Sequence, residues 1–286
     1  MLAVAAEIQL VRGCAFQWLE AAKADSIHAV VTDPPYGVKE YEKGELEKKR
    51  AGRGGIWRIP PAIGGSVRSP LPRFTALTPG ERAELVRFFE RLGVALHRVL
   101  RPGGHVLLAS NAMLSVLVFP AMARSGLEFR GEIIRLVRTL RGGNRPKNAH
   151  EKFPGVCSTP RGAYEPWGVF RKPFPGTLEQ NLERWQTGGL RRLEDGAPFV
   201  DVIACGKTPR RERKVAPHPS LKPQAFLRKL VRAALPLGEG VVLDPFMGSG
   251  STLAAALALG YRAIGIERDG EFFEMAESAI PALARY

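Results

Sequence analysis

Short apolar runs alternate along this chain with stretches of helical spacing. Ala29-Val30-Val31, Val241-Val242-Leu243 and Ala263-Ile264-Gly265-Ile266 are continuous apolar runs, and residues 105–109, 132–137, 164–170 and 199–203 also have strand character. Apolar runs of this length, bounded by turn residues, predict strands buried on both faces. Helical spacing appears in 17–23 (Trp18, Leu19, Ala22), in 114–125, in 178–185, in 223–235 and in 270–280. The clearest helix starts at Thr78-Pro79-Gly80-Glu81, with Thr78 as N-cap, Pro79 as first helical residue and Glu81 closing a capping box. Leu85, Phe88, Phe89, Leu92 and Leu96 then line one face as far as about residue 100. Arg101-Pro102-Gly103-Gly104 reads as a turn, and a helix after Gly250 runs to Leu259 with Gly260 as its C-cap. Strands alternating with helices predict an α/β fold, Rossmann-like, with a mostly parallel sheet and helices on both faces.

Two segments break this rhythm. From 38 to 75 the periodicity vanishes among Gly, Pro and Arg, with 52–55 and 60–65 read as mobile loop. Residues 138 to about 217 are also irregular around their short elements. Such long interruptions inside a compact domain are commonly functional. The expectation is one domain, 1–286, carrying two irregular insertions.

Composition changes the picture in one respect. Lys and Arg number 42 against 28 Asp and Glu, a net charge of +14, which favours a polyanionic partner. Cys14, Cys157 and Cys205 are odd in number and lack metal or redox spacing, so neither a disulfide framework nor a metal site is expected. The N-terminus lacks a basic n-region and Glu7 interrupts its apolar stretch, so no signal peptide is expected. The most lipid-like segment, 105–123, is broken by Ser110, Asn111, Ser115 and Pro120, so no membrane span is expected either. A cytoplasmic location is the default.

Candidate chemistry sits at two strand ends. After the 241–243 strand comes Asp244-Pro245-Phe246-Met247-Gly248-Ser249-Gly250-Ser251-Thr252. Glycines between strand and helix let the backbone approach a ligand, and the helix N-terminus follows at Ser251 and Thr252. Glu267 ends the next strand, where an acid commonly binds ribose hydroxyls. Together these predict an adenosine-containing cofactor. Leu253 occupies the place of the third nicotinamide-type glycine, and Phe246 is placed to pack on the cofactor. Both points favour S-adenosylmethionine and leave a nicotinamide open.

After the 29–31 strand comes Asp33-Pro34-Pro35-Tyr36. An aromatic amine is a poor nucleophile because its lone pair is delocalised into the ring. Acceptors for both N–H protons localise that pair. Asp33 supplies a carboxylate, Pro34 a backbone carbonyl, and Pro34 and Pro35 stiffen the loop in advance. Tyr36 supplies a face for stacking a flipped base. Taken alone, Asp-Pro-Pro-Tyr also suits a rigid turn.

Together these segments resemble the amino-methyltransferases of DNA modification, in the permuted β class whose catalytic motif precedes the cofactor motif. The resemblance spans most of the chain: 31–37, 100–104, Tyr164-Glu165-Pro166, His218-Pro219-Ser220-Leu221-Lys222-Pro223, 244–252 and Gly265-Ile266-Glu267. It implies that Asp33, Pro34, Pro35 and Tyr36 take the target amine and base. It implies that Asp244, Phe246, Gly248, Gly250, Ser251 and Thr252 shape the S-adenosylmethionine loop and that Glu267 takes the ribose. His218, Ser220 and Lys222 would hold the cofactor's amino-acid end, with Lys222 facing its carboxylate. The family often has Asp after a Gly near the N-terminus, and here Cys14 follows Gly13. The Asp-Pro-Pro-Tyr form usually accompanies adenine N6, and Ser at the first position cytosine N4.

The resemblance therefore implies a site-specific adenine-N6 methyltransferase acting on a flipped base in double-stranded DNA. Cytosine N4, RNA or protein-glutamine substrates, a nicotinamide oxidoreductase and a non-catalytic DNA-binding module stand as alternatives. A homodimer, seen in relatives, has no evident patch. Three basic stretches suit phosphate: Lys48, Lys49, Arg50, Arg53 and Arg58; Arg138, Arg141, Arg145 and Lys147; and Lys207, Arg210, Arg211, Arg213 and Lys214. Base readout is expected within 138–208.

Overall fold

The computed structural model describes residues 7–35, 62–63, 66–67, 77–137, 149, 151–157, 160–218 and 220–286. Tyr36, Pro219 and the first two basic stretches lie outside the described residues. So does most of 38–75; its described residues form a two-stranded antiparallel ladder, Ala62–Ile63 (β3) with Ser66–Val67 (β4).

The apolar runs become the centre of one eight-stranded sheet. In chain order its strands are Ile8–Arg12 (β1), Ile27–Thr32 (β2), Leu100–Ala109 (β5), Glu128–Leu136 (β6), Tyr164–Arg171 (β7), Val202–Ala204 (β8), Val241–Asp244 (β9) and Arg262–Glu267 (β10). Their spatial order is β1-β10-β9-β2-β5-β7-β6-β8. Pairings from β1 to β5 are parallel, β7 runs antiparallel to both β5 and β6, and β8 is parallel to β6. The helices are Ala15–Ala21 (α1), Pro79–Val99 (α2), Ser115–Arg124 (α3), Leu178–Trp185 (α4), Arg210–Val215 (α5), Gln224–Ala234 (α6), Ser251–Ala258 (α7) and Gly270–Leu283 (α8).

Alternation along each strand divides the interior into two layers. Ala29, Val31, Leu107, Ala109, Trp167 and Val169 pack with α6, α7 and α8. Val30, Val106, Leu108 and Phe170 face the opposite side, with α1, α2 and α3. The sheet is thus covered by helices on both faces, as the strand–helix alternation requires.

Three elements differ from the sequence expectation. β1 has no counterpart in it: its pattern is half-exposed, because it is an edge strand beside β10. Arg101-Pro102-Gly103-Gly104 is no separate turn but a bulge inside β5. Ile27 pairs with Leu100 and Ala29 with His105, so three residues of β5 loop out between them. Gly103 takes φ +81 there, and Asn181 of α4 donates to the carbonyls of Pro102 (3.0 Å) and Thr187 (2.8 Å), clamping the bulge. Residues 210–215, expected to be irregular, form α5. Within 138–208, the strand expected at 164–170 is present as β7 inside the sheet, with Trp167 and Phe170 fully buried, so this stretch is scaffold.

Both sequence-read helix caps at the ends of α2 and α7 are present. Thr78 accepts from Glu81 N–H and Glu81 accepts from Thr78 N–H. Gly260 (φ +74) closes a Schellman turn after α7, with Tyr261 N–H to Ala256 and Gly260 N–H to Leu257.

Candidate active site

β2 and β9 are neighbours and parallel, with Val30 level with Leu243. Their carboxyl ends therefore deliver Thr32-Asp33 and Asp244 side by side. The chain leaves β9 toward β10 on one side and β2 toward β5 on the other, so this is a switch point of the sheet, where open α/β folds form their crevice. A cavity opens here, lined among others by Asp33, His218, Lys222, Asp244, Phe246 and Gly248.

Thr32 ties the two strand ends together: its hydroxyl donates to Asp244 Oδ1 at 2.7 Å. Asp244 also accepts from Phe246 N–H at 3.1 Å and from the Thr252 hydroxyl. Burial pushes the Asp244 carboxyl up to about 6, the negative charge of Asp33 adds to this, and the three hydrogen bonds oppose it. Asp244 thus acts as an internal staple, folding the 244–252 loop over the strand end.

That loop turns on two glycines in left-handed conformations, Gly248 at φ +51 and Gly250 at φ +82. Gly250 caps the N-terminus of α7, and a Cβ on it would run into Ile280. Glu267 at the end of β10 accepts from Gly248 N–H (3.0 Å) and Asp269 N–H (2.8 Å), so its carboxylate holds the loop from below. Ser249 is buried, lines the cavity, and its hydroxyl oxygen has no hydrogen-bond partner. Phe246 packs on Phe88 of α2, ring centroids 6.0 Å apart, while also lining the cavity.

His218 stands over Gly248, close enough that a Cβ there would lie 3.1 Å from the imidazole, and it packs edge-on against Phe272 at 4.4 Å. Its Nδ1 accepts from Ser220 N–H at 3.2 Å, which leaves the proton of the neutral ring on Nε2. Burial lowers the pKa of His218, against the pull of Asp33 and Glu267, so the ring is neutral near pH 7. Ser220 lines the cavity too.

Lys222, expected to face a cofactor carboxylate, lines the cavity and meets two carboxylates of the protein. Its ammonium lies 2.7 Å from Asp33 Oδ2 and 3.4 Å from Glu165 Oε2. Burial disfavours its charge, yet Asp33 and Glu165 together raise its pKa above the ordinary lysine value. Glu165 also receives the Trp167 indole N–H at 2.9 Å and faces Arg135 at 3.6 Å. Burial would raise the Glu165 carboxyl, but Lys222 and Arg135 prevail and hold it below the usual range.

The structure therefore brings Asp33, His218, Ser220, Lys222, Asp244, Phe246, Gly248, Ser251 and Thr252 to one crevice, with Gly250 and Glu267 supporting its loop; Pro34, next in the chain after Asp33, is buried. Pro35 follows as an exposed residue. Sequence reasoning gave no role to Thr32, Ser249, Arg135 or Glu165. The signal for Thr32 was a hydroxyl at the end of a wholly buried strand; Arg135 was concealed as one charge in an apolar strand. Among the described residues no group of three or more His, Cys, Asp and Glu stands where it could hold a metal ion. No helix among them is long and apolar enough to cross a membrane.

Comparison with known proteins agrees with this geometry. The family model described as DNA methylase, of the N6/N4 type, matches residues 27–278. The type II methyltransferase M2.DpnII of Streptococcus pneumoniae is 34% identical over 93 residues, 32% of this chain. The matched part spans about a third (34%) of that relative's length. Among solved structures, a DNA modification methylase of Thermus thermophilus, TTHA0409, complexed with S-adenosyl-L-methionine, superposes with a TM-score of 0.59 at 21% identity, covering 96% of this chain and 93% of that one. The cytosine-N4-specific PvuII DNA methyltransferase superposes with a TM-score of 0.60 at 13% identity, covering 99% and 92%. At these identities the two structures establish the fold. The family match spans both strand ends that form the crevice, and the chain belongs to the N6/N4 DNA methylase family.

Proposed function

We propose that this protein transfers the methyl group of S-adenosylmethionine to the exocyclic N6 of an adenine flipped out of double-stranded DNA. The observation that carries the reading is the convergence of Asp33 and the 244–252 loop at adjacent strand ends, which sets an amine-binding group beside a nucleotide-type loop.

The residues present suit S-adenosylmethionine. The buried Ser249 hydroxyl lacks a partner, as expected of a group that meets a polar ligand. The positive-φ glycines keep side chains out of the loop, and Glu267, which holds Gly248 N–H, is assigned the ribose. Ser249, the N-terminus of α7, His218 and Glu267 are the residues assigned to hold it. Bound there, the cofactor supplies an electrophilic methyl group on a sulfonium, which departs as a thioether.

On the acceptor side, Asp33 and the Pro34 carbonyl accept the two N–H protons of the amine and localise its lone pair. Once the N–C bond has formed, the nitrogen carries a surplus proton, and the Asp33 carboxylate is placed to take it. Lys222, 2.7 Å from Asp33 Oδ2, holds that carboxylate in place beforehand. Tyr36 is assigned the stacking face. Extrusion of the base is required because a paired adenine cannot reach a strand-end carboxylate.

Adenine is preferred over cytosine on the Asp-Pro-Pro-Tyr form of the motif. Cytosine N4 is the second reading, because the family covers both bases. Nucleoside digestion and mass analysis of DNA incubated with protein and cofactor decides between them. N6-methyladenine is the expected product; N4-methylcytosine would keep the mechanism and reverse the base assignment.

A further inference from the structure

Lys222 is withdrawn from water, its side chain only 14% exposed, and an ammonium so placed needs compensating charge. Two carboxylates supply it, Asp33 on the cavity side and Glu165 on the β7 side. Glu165 is itself fixed by the Trp167 indole and by Arg135. Arg135 is fixed in turn: it donates to the carbonyls of Cys205 and Gly206, and its guanidinium lies over the Phe226 ring at 5.4 Å. Asp33, Lys222, Glu165 and Arg135 thus form a chain of alternating charge from the crevice into the sheet. Its far end is anchored in backbone and core, its near end at the group that meets the substrate.

We propose that Lys222 and Glu165 are positioning residues for Asp33: Glu165 holds Lys222 in place, and Lys222 fixes the orientation of the Asp33 carboxylate. The proposal rests on the methyl-transfer reading and deepens it. It assigns Lys222 to the target-amine side of the crevice instead of to the cofactor carboxylate.

Among the described residues, the charged and titratable groups around Asp33 include Lys222 and His218 from the 218–222 segment, Asp244 from β9 and, through Lys222, Glu165 from β7 and Arg135 from β6. With Lys222 neutralised, Asp33 loses the ammonium 2.7 Å from its Oδ2, and the carboxylate is no longer held in the orientation that receives the amine. With Glu165 neutralised, Lys222 loses one of its two anchors and the geometry of Asp33 loosens.

The test compares wild type with K222M, E165Q and E165D. Calorimetry gives the dissociation constant for S-adenosylmethionine. Single-turnover transfer of labelled methyl to unmethylated genomic duplex DNA gives the rate. K222M and E165Q are expected to bind cofactor within about threefold of wild type and to transfer at least about tenfold more slowly. E165D should recover most of the rate. A role confined to folding does not lower the rate while sparing cofactor affinity. The proposal is overturned if K222M binds cofactor about tenfold more weakly yet keeps the wild-type rate at saturation, because Lys222 then serves the cofactor carboxylate. A wild-type rate in E165Q also overturns it. If K222M does not fold, the E165Q and E165D pair carries the same test. Absence of transfer by the wild-type protein removes the methyl-transfer reading itself, and the proposal with it.

Discussion

Thr32 occupies the last position of a strand buried along its whole length, and its hydroxyl bridges to Asp244. Thr32→Val keeps the shape and removes the donor. Asp244 is then left with fewer hydrogen bonds in a buried site, at a cost of about 1–3 kcal/mol by chemical denaturation. Gly250 is a harder constraint, because φ +82 and the side chain of Ile280 both exclude a Cβ. Gly250→Ala is expected to lower stability by about 1–2 kcal/mol from backbone strain alone and to weaken S-adenosylmethionine binding measured by calorimetry. At the opposite end of the sheet, His28 accepts from Val241 N–H through Nδ1, and burial lowers its pKa to about 4; burial takes His105 to about 3. Both rings are neutral when folded and take up protons more readily when unfolded. Their contribution to stability is complete above pH 6.5 and is lost as pH falls toward 4 and 3 respectively. Between pH 7 and pH 5 each loses about 2 kcal/mol, while Asp244, raised to about 6, works the other way and recovers about 1 kcal/mol. Urea melts at the two pH values should show a net loss for wild type, and His28→Gln should remove much of it.

At the scale of elements, legibility followed burial. β2 and β9 were visible because strands covered on both faces are apolar throughout, and α2 because it carries a capping box as well as one apolar face. β1 was missed because an edge strand has a weak pattern, and α5 because six residues dominated by Arg and Lys carry little apolar periodicity. The Arg101–Gly104 bulge was misread because Pro-Gly-Gly signals a turn locally; only the pairing with β2 and the clamp from α4 show that it lies within β5. The strand-end motifs were legible, whereas the route from Lys222 to Glu165 and Arg135 was not, since it joins β6, β7 and the 218–222 segment across the sheet. α5 carries a related consequence. Its buried Glu212 accepts from Gln224 N–H at 3.0 Å, and Gln224 donates to the Ser251 carbonyl at 2.9 Å, linking α5 to the start of α7. Glu212→Ala leaves that buried N–H without its partner and is expected to weaken cofactor binding several-fold, read by calorimetry.

Across the whole molecule the net charge of +14 and the exposed side chains of Lys207, Arg210, Arg211 and Lys214 suit a phosphate backbone. Each phosphate contact steepens the dependence of log affinity on log salt by about 0.9 for duplex DNA. R210E/R211E should therefore bind duplex DNA more weakly and with a shallower salt slope in fluorescence anisotropy, while S-adenosylmethionine affinity stays at the wild-type value. The central claim is that a strand-end carboxylate and a glycine loop form one methyl-transfer site. Its most direct test is transfer of labelled methyl from S-adenosylmethionine to duplex DNA by wild type and by Asp33→Ala, with cofactor affinity measured for both. The account predicts similar cofactor affinity and a rate lower by about a thousandfold or more in the variant. Unimpaired transfer by Asp33→Ala would contradict it.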